Sequence, residues 1–222
     1  MKTIILVRHG QSQEQSGESI DGVNPPLSSL GIRQSLRLKE RLAGERFDLA
    51  LVSPLARAYE TYRIAETSVG EAAFDSRLIE VDFFENWYSH MAGYVPAADL
   101  PVRNATGWLI PVEARTQDLV RELLTIKHER VLLFAHQGIF KQLIGAWLGL
   151  PGDAFMYGVI LGNTSLTGLT LSDDGTRSIH FLNDVHHLEE REGGLKSGMS
   201  VHVDQRRPWR AEHRLVATGT EA

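Results

Sequence analysis

Hydrophobic residues fall in two registers along this chain. The runs Thr3-Ile4-Ile5-Leu6-Val7, Phe47-Asp48-Leu49-Ala50-Leu51-Val52 and Arg130-Val131-Leu132-Leu133-Phe134-Ala135 are short, β-rich and nearly uninterrupted. That is the pattern of strands buried inside a sheet. Residues 30–42, 55–67 and 116–127 read as helices; in the first, Leu30, Leu36, Leu38 and Leu42 alternate with Arg, Lys and Glu, the mark of an amphipathic helix. A further helix runs from Gly138 through Leu148. Ser28-Ser29 supplies an N-cap for the first of these, and Ser53-Pro54 a helix start for the second. Residues 77–81 read as a weaker strand or extended segment. Residues 166–171 and 178–182, separated by Asp173-Asp174-Gly175, predict a closing hairpin. Alternation of this kind predicts an α/β fold, a three-layer αβα sandwich with a mainly parallel central sheet.

Residues 82–112 break the rhythm. Phe83, Phe84, Trp87, Tyr88, Tyr94 and Trp108 cluster there beside Gly93, Pro96, Pro101 and Pro111, which predicts an irregular, substrate-facing excursion over the sheet edge. After about Asn183 the chain turns polar. The expected organisation is therefore a catalytic domain over 1–185, carrying the 82–112 excursion, followed by a polar tail over 186–222. Within that tail, His186-His187 resembles a metal-binding pair, but adjacent residues diverge on a strand and no third ligand is evident, so a solvated tail is expected. Glu189 to Glu192 reads as a solvated face.

Composition narrows the function classes. With 42% hydrophobic and 23% charged residues, this is an ordinary globular composition. A formal charge of -5 offers no general attraction to nucleic acid or to anionic membranes. The chain has no cysteines, which excludes disulfides, thiolate nucleophiles and Cys-based metal sites. The apolar run after Met1-Lys2 is too short for a signal peptide or membrane span, and the cytoplasm is the expected location.

The candidate chemistry lies where strands end. Val7-Arg8-His9-Gly10 and Ala135-His136-Gln137-Gly138 each place a histidine, then a glycine, after an apolar strand. If the two strands are parallel neighbours, their histidines meet above one sheet edge, the edge where open α/β sheets bind ligands. Ser53-Pro54-Leu55-Ala56-Arg57 adds a third strand end, with Arg57 in the first turn of the following helix. A cation and an imidazole delivered together suggest chemistry on an anion such as phosphate, and the helix N-terminus reinforces that reading.

These residues carry a resemblance. The pieces Leu6-Val7-Arg8-His9-Gly10-Gln11-Ser12, Pro26-Leu27-Ser28 with Gly31 and Gln34, Ser53-Pro54-Leu55-Ala56-Arg57-Ala58-Tyr59-Glu60-Thr61, Leu78-Ile79-Glu80 and Ala135-His136-Gln137-Gly138 occur in the order found in the histidine phosphatase superfamily, the phosphoglycerate mutase-like family. The resemblance implies a phosphohistidine mechanism in which His9 attacks phosphorus. Arg8, Arg57 and His136 would clamp the phosphoryl oxygens, and Gln11 or Gln15 would add a neutral donor. Two arginines and a protonated His136 would bring up to three positive charges to a dianion of about -2. Glu80 would protonate the leaving oxygen and then activate water, with Asp82 and Glu85 as rival acids. The family's Gly-x-Trp-Glu-Gly stretch is here Phe84-Glu85-Asn86-Trp87-Tyr88, without either glycine. The long Glu-Arg-His-Tyr-Gly signature of mutases is missing too, which argues for a hydrolase. The expectation is a phosphomonoester hydrolase needing neither metal nor other cofactor, acting on a small-molecule phosphate ester, with no nucleic-acid or membrane partner; family analogy admits a homodimer. Mutase-type transfer is the alternative within enzymes, and a weakly catalytic phospho-ligand or phosphoprotein binding module is the alternative outside them.

Overall fold

The computed structural model describes residues 1–18, 24–81, 100–151, 154–156, 158–189 and 192. Seven strands form one sheet: β1 (Lys2–Arg8), β2 (Arg46–Val52), β3 (Ser68–Asp75), β4 (Val102–Arg103), β5 (Arg130–Ala135), β6 (Leu166–Leu171) and β7 (Arg177–Asp184). Their spatial order is β4-β3-β2-β5-β1-β6-β7. The first five in that order pair in parallel, and β6 and β7 close the sheet as an antiparallel edge. Among the described residues the helices are α1 (Gln13–Ser16), α2 (Ser29–Leu42), α3 (Ala56–Ala65), α4 (Val112–Thr125) and α5 (Gln137–Leu148).

Alternate strand residues feed the two faces, as the two-residue period of a strand requires. Ile4, Leu6, Leu49, Leu51, Val131 and Leu133 pack with Leu119, Leu123, Ile139 and Leu143 of α4 and α5. Val7, Ala50, Val52, Leu132 and Phe134 pack with Leu38, Leu42 and Ala65 of α2 and α3. The result is the three-layer α/β arrangement predicted from the pattern. Ser28 caps α2 by accepting from the Gly31 N–H at 3.1 Å.

Several boundaries differ from expectation. The segment 77–81 is not a strand: Ser76–Leu78 is a 3₁₀ turn, and the strand before it is Ser68–Asp75. Helix α3 stops at Ala65, where Glu66 turns left-handed at φ 44°. Only the last three residues of β3 are buried, so its first half carries no apolar signal. Helix α4 begins at Val112, four residues earlier than expected. Of the 82–112 excursion, residues 82–99, with Phe83, Phe84, Trp87, Tyr88 and Tyr94 and the rival acids Asp82 and Glu85, lie outside the described residues. Its return is partly regular, adding edge strand β4 and a 3₁₀ turn at Gly107–Leu109. Contacts also continue past residue 185. His187 is half-buried rather than solvated, with Nε2 3.0 Å from Thr164 Oγ1, and Glu192 is buried against α2, its carboxylate meeting Arg37 Nε at 3.2 Å.

Beneath the returning stem lies a buried ion cluster. Arg77 binds Asp75 through Nε at 3.0 Å and Nη2 at 2.6 Å, and Asp118 through Nη1 at 2.6 Å. Its guanidinium also meets Glu122, and Asn104 donates to Asp75 at 3.1 Å. A Cβ on Gly107 would come within 2.6 Å of the Arg77 side chain. The stem is thus clamped to the segment that leads into Glu80.

Candidate active site

β1 and β5 are parallel neighbours in a register that pairs Arg8 with Ala135, one residue before each histidine. The His9 N–H donates to the Ala135 carbonyl at 3.0 Å, and the Ser53 N–H donates to the Phe134 carbonyl at 2.8 Å. Three adjacent strand ends therefore deliver His9, His136 and Ser53 to one edge. The two imidazole centroids are 5.0 Å apart. Arg57, in the first turn of α3, places Nε 3.3 Å from His9 Nε2. Arg8 reaches back with Nη1 to the Leu161 carbonyl.

Close backbone approach holds the loop after His9. The Gly10 N–H donates to Thr61 Oγ1 at 3.0 Å, and a Cβ at Gly10 would stand 2.6 Å from the Gly31 carbonyl oxygen. Gln34 accepts from the Gln11 N–H at 2.8 Å. Gly31 and Gln34 thus form the seat of this loop.

The tautomer of His9 follows from its partners. A carbonyl can only accept, so the 2.6 Å contact between Nδ1 and the Gly10 carbonyl puts the proton on Nδ1. Nε2 then carries a lone pair, which the Arg57 Nε–H faces. Burial, then the charges of Arg57 and Arg8, hold this imidazole well below the usual histidine range. His136 is pushed the same way by burial, then by Arg57, His9, Arg8 and Arg115. This corrects the charge count from sequence: His136 is neutral at pH 7, and the cations are guanidiniums. Burial lowers Arg8 to about 10 and also lowers Arg57, but both stay charged at neutral pH.

Glu80 sits at the N-terminus of α5. Its carboxylate accepts from the Val81, Gly138 and Ile139 N–H groups at 2.8, 3.1 and 2.9 Å. It is near enough to Arg8 and Arg57 to raise the proton affinity of both. Gly138 has to be glycine here, since a Cβ would lie 2.3 Å from Val81 and 2.5 Å from Glu80 Oε1. Buried Arg115, at the start of α4, donates to the Glu80 carbonyl at 3.3 Å.

Gln11 and Gln15 lie in the same loop but are turned to local work. Gln11 Oε1 accepts from Ser28 Oγ at 2.7 Å. Gln15 closes a capping box with Ser12, and its Oε1 accepts from Asn163 Nδ2 at 3.2 Å. Neither is hydrogen-bonded to His9 or His136. Sequence reasoning missed Asn163, whose Nδ2 donates to the His9 carbonyl at 3.1 Å. It read Ser53 only as part of a helix start and gave it no place in the site, whereas its Oγ is 2.8 Å from His136 Nε2. Ser53 was visible within a matched piece, whereas nothing in the sequence around Asn163 marks it.

A family model for the histidine phosphatase superfamily, branch 1, matches residues 4–185. The chain belongs to that superfamily. It is 29% identical over 196 residues to a glucosyl-3-phosphoglycerate phosphatase of Mycolicibacterium vanbaalenii, covering 78% of this chain and 87% of that one. An adenosylcobalamin/α-ribazole phosphatase of Escherichia coli is 28% identical over 171 residues, covering 68% and 82%. Among solved structures, a mycobacterial glucosyl-3-phosphoglycerate phosphatase in complex with VO3 superposes at TM-score 0.59 with 25% identity, covering 82% of this chain and 99% of that one. These histidine phosphatase relatives are enzymes acting on small phosphorylated metabolites. One further relative, from Proteus mirabilis and 26% identical, is named for phosphoglycerate mutase activity, so the mutase alternative stays within the same superfamily.

Proposed function

We propose that this chain is a phosphomonoester hydrolase working through a phosphohistidine at His9. The observation that carries the reading is the pairing of His9 Nδ1 with the Gly10 carbonyl, which leaves the Nε2 lone pair facing the Arg57 guanidinium. In the first step Nε2 attacks phosphorus and the P–O ester bond breaks, its electron pair leaving on the departing oxygen. Glu80 supplies that oxygen with a proton. In the second step Glu80 takes a proton from water, the water oxygen attacks phosphorus, and the P–N bond breaks to release phosphate.

Arg8 and Arg57 hold the phosphoryl oxygens, for which a planar guanidinium fork is suited. As proposed, no step uses a metal.

For substrate, the names of several relatives point to phosphorylated carboxylic acids: glucosyl-3-phosphoglycerate, phosphoserine and 2-carboxy-D-arabinitol 1-phosphate. Arg115 adds a third guanidinium close enough to affect His136, which suits a leaving group with its own negative charge. We place such acids first in a phosphatase screen, ahead of sugar phosphates and nucleotides. Among the described residues no helix is long and apolar enough to cross a membrane; the reading keeps a cytoplasmic location, no nucleic-acid partner and a catalytic domain over 1–185, and family analogy admits a homodimer.

The test is His9→Ala, assayed for phosphate release and for an acid-labile, alkali-stable phosphoenzyme. Loss of both in a folded variant is the expected result, and substantial turnover by that variant overturns the mechanism. Transfer of phosphate between positions of a phosphoglycerate, without release, would instead select the mutase reading.

A further inference from the structure

We propose that Ser53 is a positioning residue that fixes His136 in its Nδ1–H tautomer, making the neutral imidazole a hydrogen-bond donor to the phosphoryl group. The inference rests on the phosphohistidine reading for its consequence but not for its geometry. Ser53 is fully buried at the end of β2, and its Oγ lies 2.8 Å from His136 Nε2. The same oxygen accepts from the Leu55 N–H at 3.4 Å. A hydroxyl has one proton to give, and among the described residues His136 Nε2 is the one acceptor within hydrogen-bonding distance of it. The hydroxyl therefore donates, Nε2 keeps its lone pair, and the proton of a neutral ring sits on Nδ1.

That nitrogen is the second half of the argument. His136 is fully buried, and its Nδ1 has no hydrogen-bond partner among the described residues. A buried donor with no acceptor is costly. The ring lies against His9 and feels the charges of Arg8 and Arg57, the same groups assigned to the phosphoryl oxygens. A phosphoryl oxygen brought to His9 satisfies the Nδ1–H. The opposite tautomer would turn a lone pair toward those oxygens and repel them. Ser53 thus does for the second histidine what the Gly10 carbonyl does for the first, by the opposite polarity. An acceptor at Nδ1 frees Nε2 of His9 for attack, and a donor at Nε2 leaves Nδ1 of His136 to bind.

The direct test is the tautomer itself, read from imidazole nitrogen chemical shifts by NMR in the full-length protein. The resonances of His136 are assigned by their loss in His136→Asn. The wild type is expected to show Nδ1 protonated and Nε2 bare, and Ser53→Ala a mixture or reversal. Protonation of Nε2 in the wild type, or a tautomer unchanged in Ser53→Ala, overturns the proposal. Should Ser53→Ala fail to fold, the wild-type measurement still decides.

The kinetic consequence is a fall in kcat/KM of about tenfold to a hundredfold in Ser53→Ala, the range of one hydrogen bond to a charged group. Ser53→Thr, which keeps the hydroxyl, should recover most of it; equal losses in the two variants count against the proposal. Because the NMR readout needs no turnover, failure of this proposal and failure of the phosphatase reading are separable.

Discussion

Replacing Glu80 by Gln separates two roles that the geometry gives to one carboxylate. As a cap, Glu80 receives three backbone N–H groups at 2.8, 3.1 and 2.9 Å, two of them from the first turn of α5. Glutamine keeps one accepting oxygen but turns an amide NH₂ toward the Gly138 N–H or toward the Val81 and Ile139 pair, so at least one bond is lost along with the charge at the helix N-terminus. That costs about 1–3 kcal/mol, a fall in Tm of roughly 2–4 °C per kcal/mol for a chain of this size. As acid and base, its removal should lower turnover by a further factor of about 10²–10⁴. The two losses have different signatures. An aryl phosphate has a leaving oxygen that needs little protonation, so Glu80→Gln should still be phosphorylated by it and then stall. Rapid-mixing experiments should show a stoichiometric burst of phenol followed by slow release. An alkyl phosphate should give no burst, because its departure depends on the acid. Equal rate losses for both leaving groups, with no burst and a lowered Tm, would refute the acid–base role and leave Glu80 as a helix cap.

Other perturbations test neighbouring parts of the argument. Gly138→Ala puts a Cβ 2.3 Å from Val81 and 2.5 Å from Glu80, so it should mimic Glu80→Gln in the leaving-group assay and destabilise by about 1–3 kcal/mol through overpacking; retention of wild-type kinetics would show that Glu80 need not stay at this helix end. Arg77→Met leaves Asp75 fully buried without its bidentate partner and should cost about 3–5 kcal/mol by chemical denaturation, with Asp75→Asn in the same chain recovering part of it. His187 is lowered to about 4, chiefly by burial, against about 6.5 in the unfolded chain. The unfolded state then binds more protons, so this group contributes stability above pH 6.5 that is lost as pH falls toward 4. His187→Asn should flatten the dependence of Tm on pH in that window, and an unchanged slope would count against the burial argument. His9 is held well below the usual range, so kcat/KM should show no loss from His9 protonation between pH 7 and 6.

How much of this was legible in the sequence depended on whether a residue's meaning was local. The strand ends at Val7-Arg8-His9 and Ala135-His136 were readable because the middles of β1 and β5 are covered on both faces and so read as apolar runs. Their parallel pairing, expected if the histidines were to meet, is what the register of Arg8 with Ala135 provides. β3 was missed because none of its first five residues is buried, and the 77–81 segment was misread because Leu78 and Ile79 are buried without being in a strand. The neutrality of His136 was not legible either. It arises from burial and from guanidiniums supplied by β1, α3 and α4, which only the fold brings together. Ser53 and Asn163 are ordinary polar residues until β2 lies beside β5 and the 162–165 loop lies under His9. The glycines stand between these cases: Gly10, Gly31 and Gly138 were visible as a pattern, but the backbone and carboxylate contacts that require them are tertiary.

Neutral imidazoles between guanidiniums form a division of labour with a physical basis. A protonated His9 would have no lone pair with which to attack, and a cationic neighbour at 5.0 Å would add repulsion to the two arginines already present. Keeping both rings neutral leaves attraction to Arg8 and Arg57, which stay charged over the whole working range, while each ring is oriented by a group outside the reacting centre. The Gly10 carbonyl and the Ser53 hydroxyl therefore set what the two histidines can do, more than their titration does. Glu80 accepts from three N–H groups and lies near Arg8 and Arg57, so the carboxylate proposed to give and take the proton stands beside the arginines proposed to hold the phosphoryl oxygens.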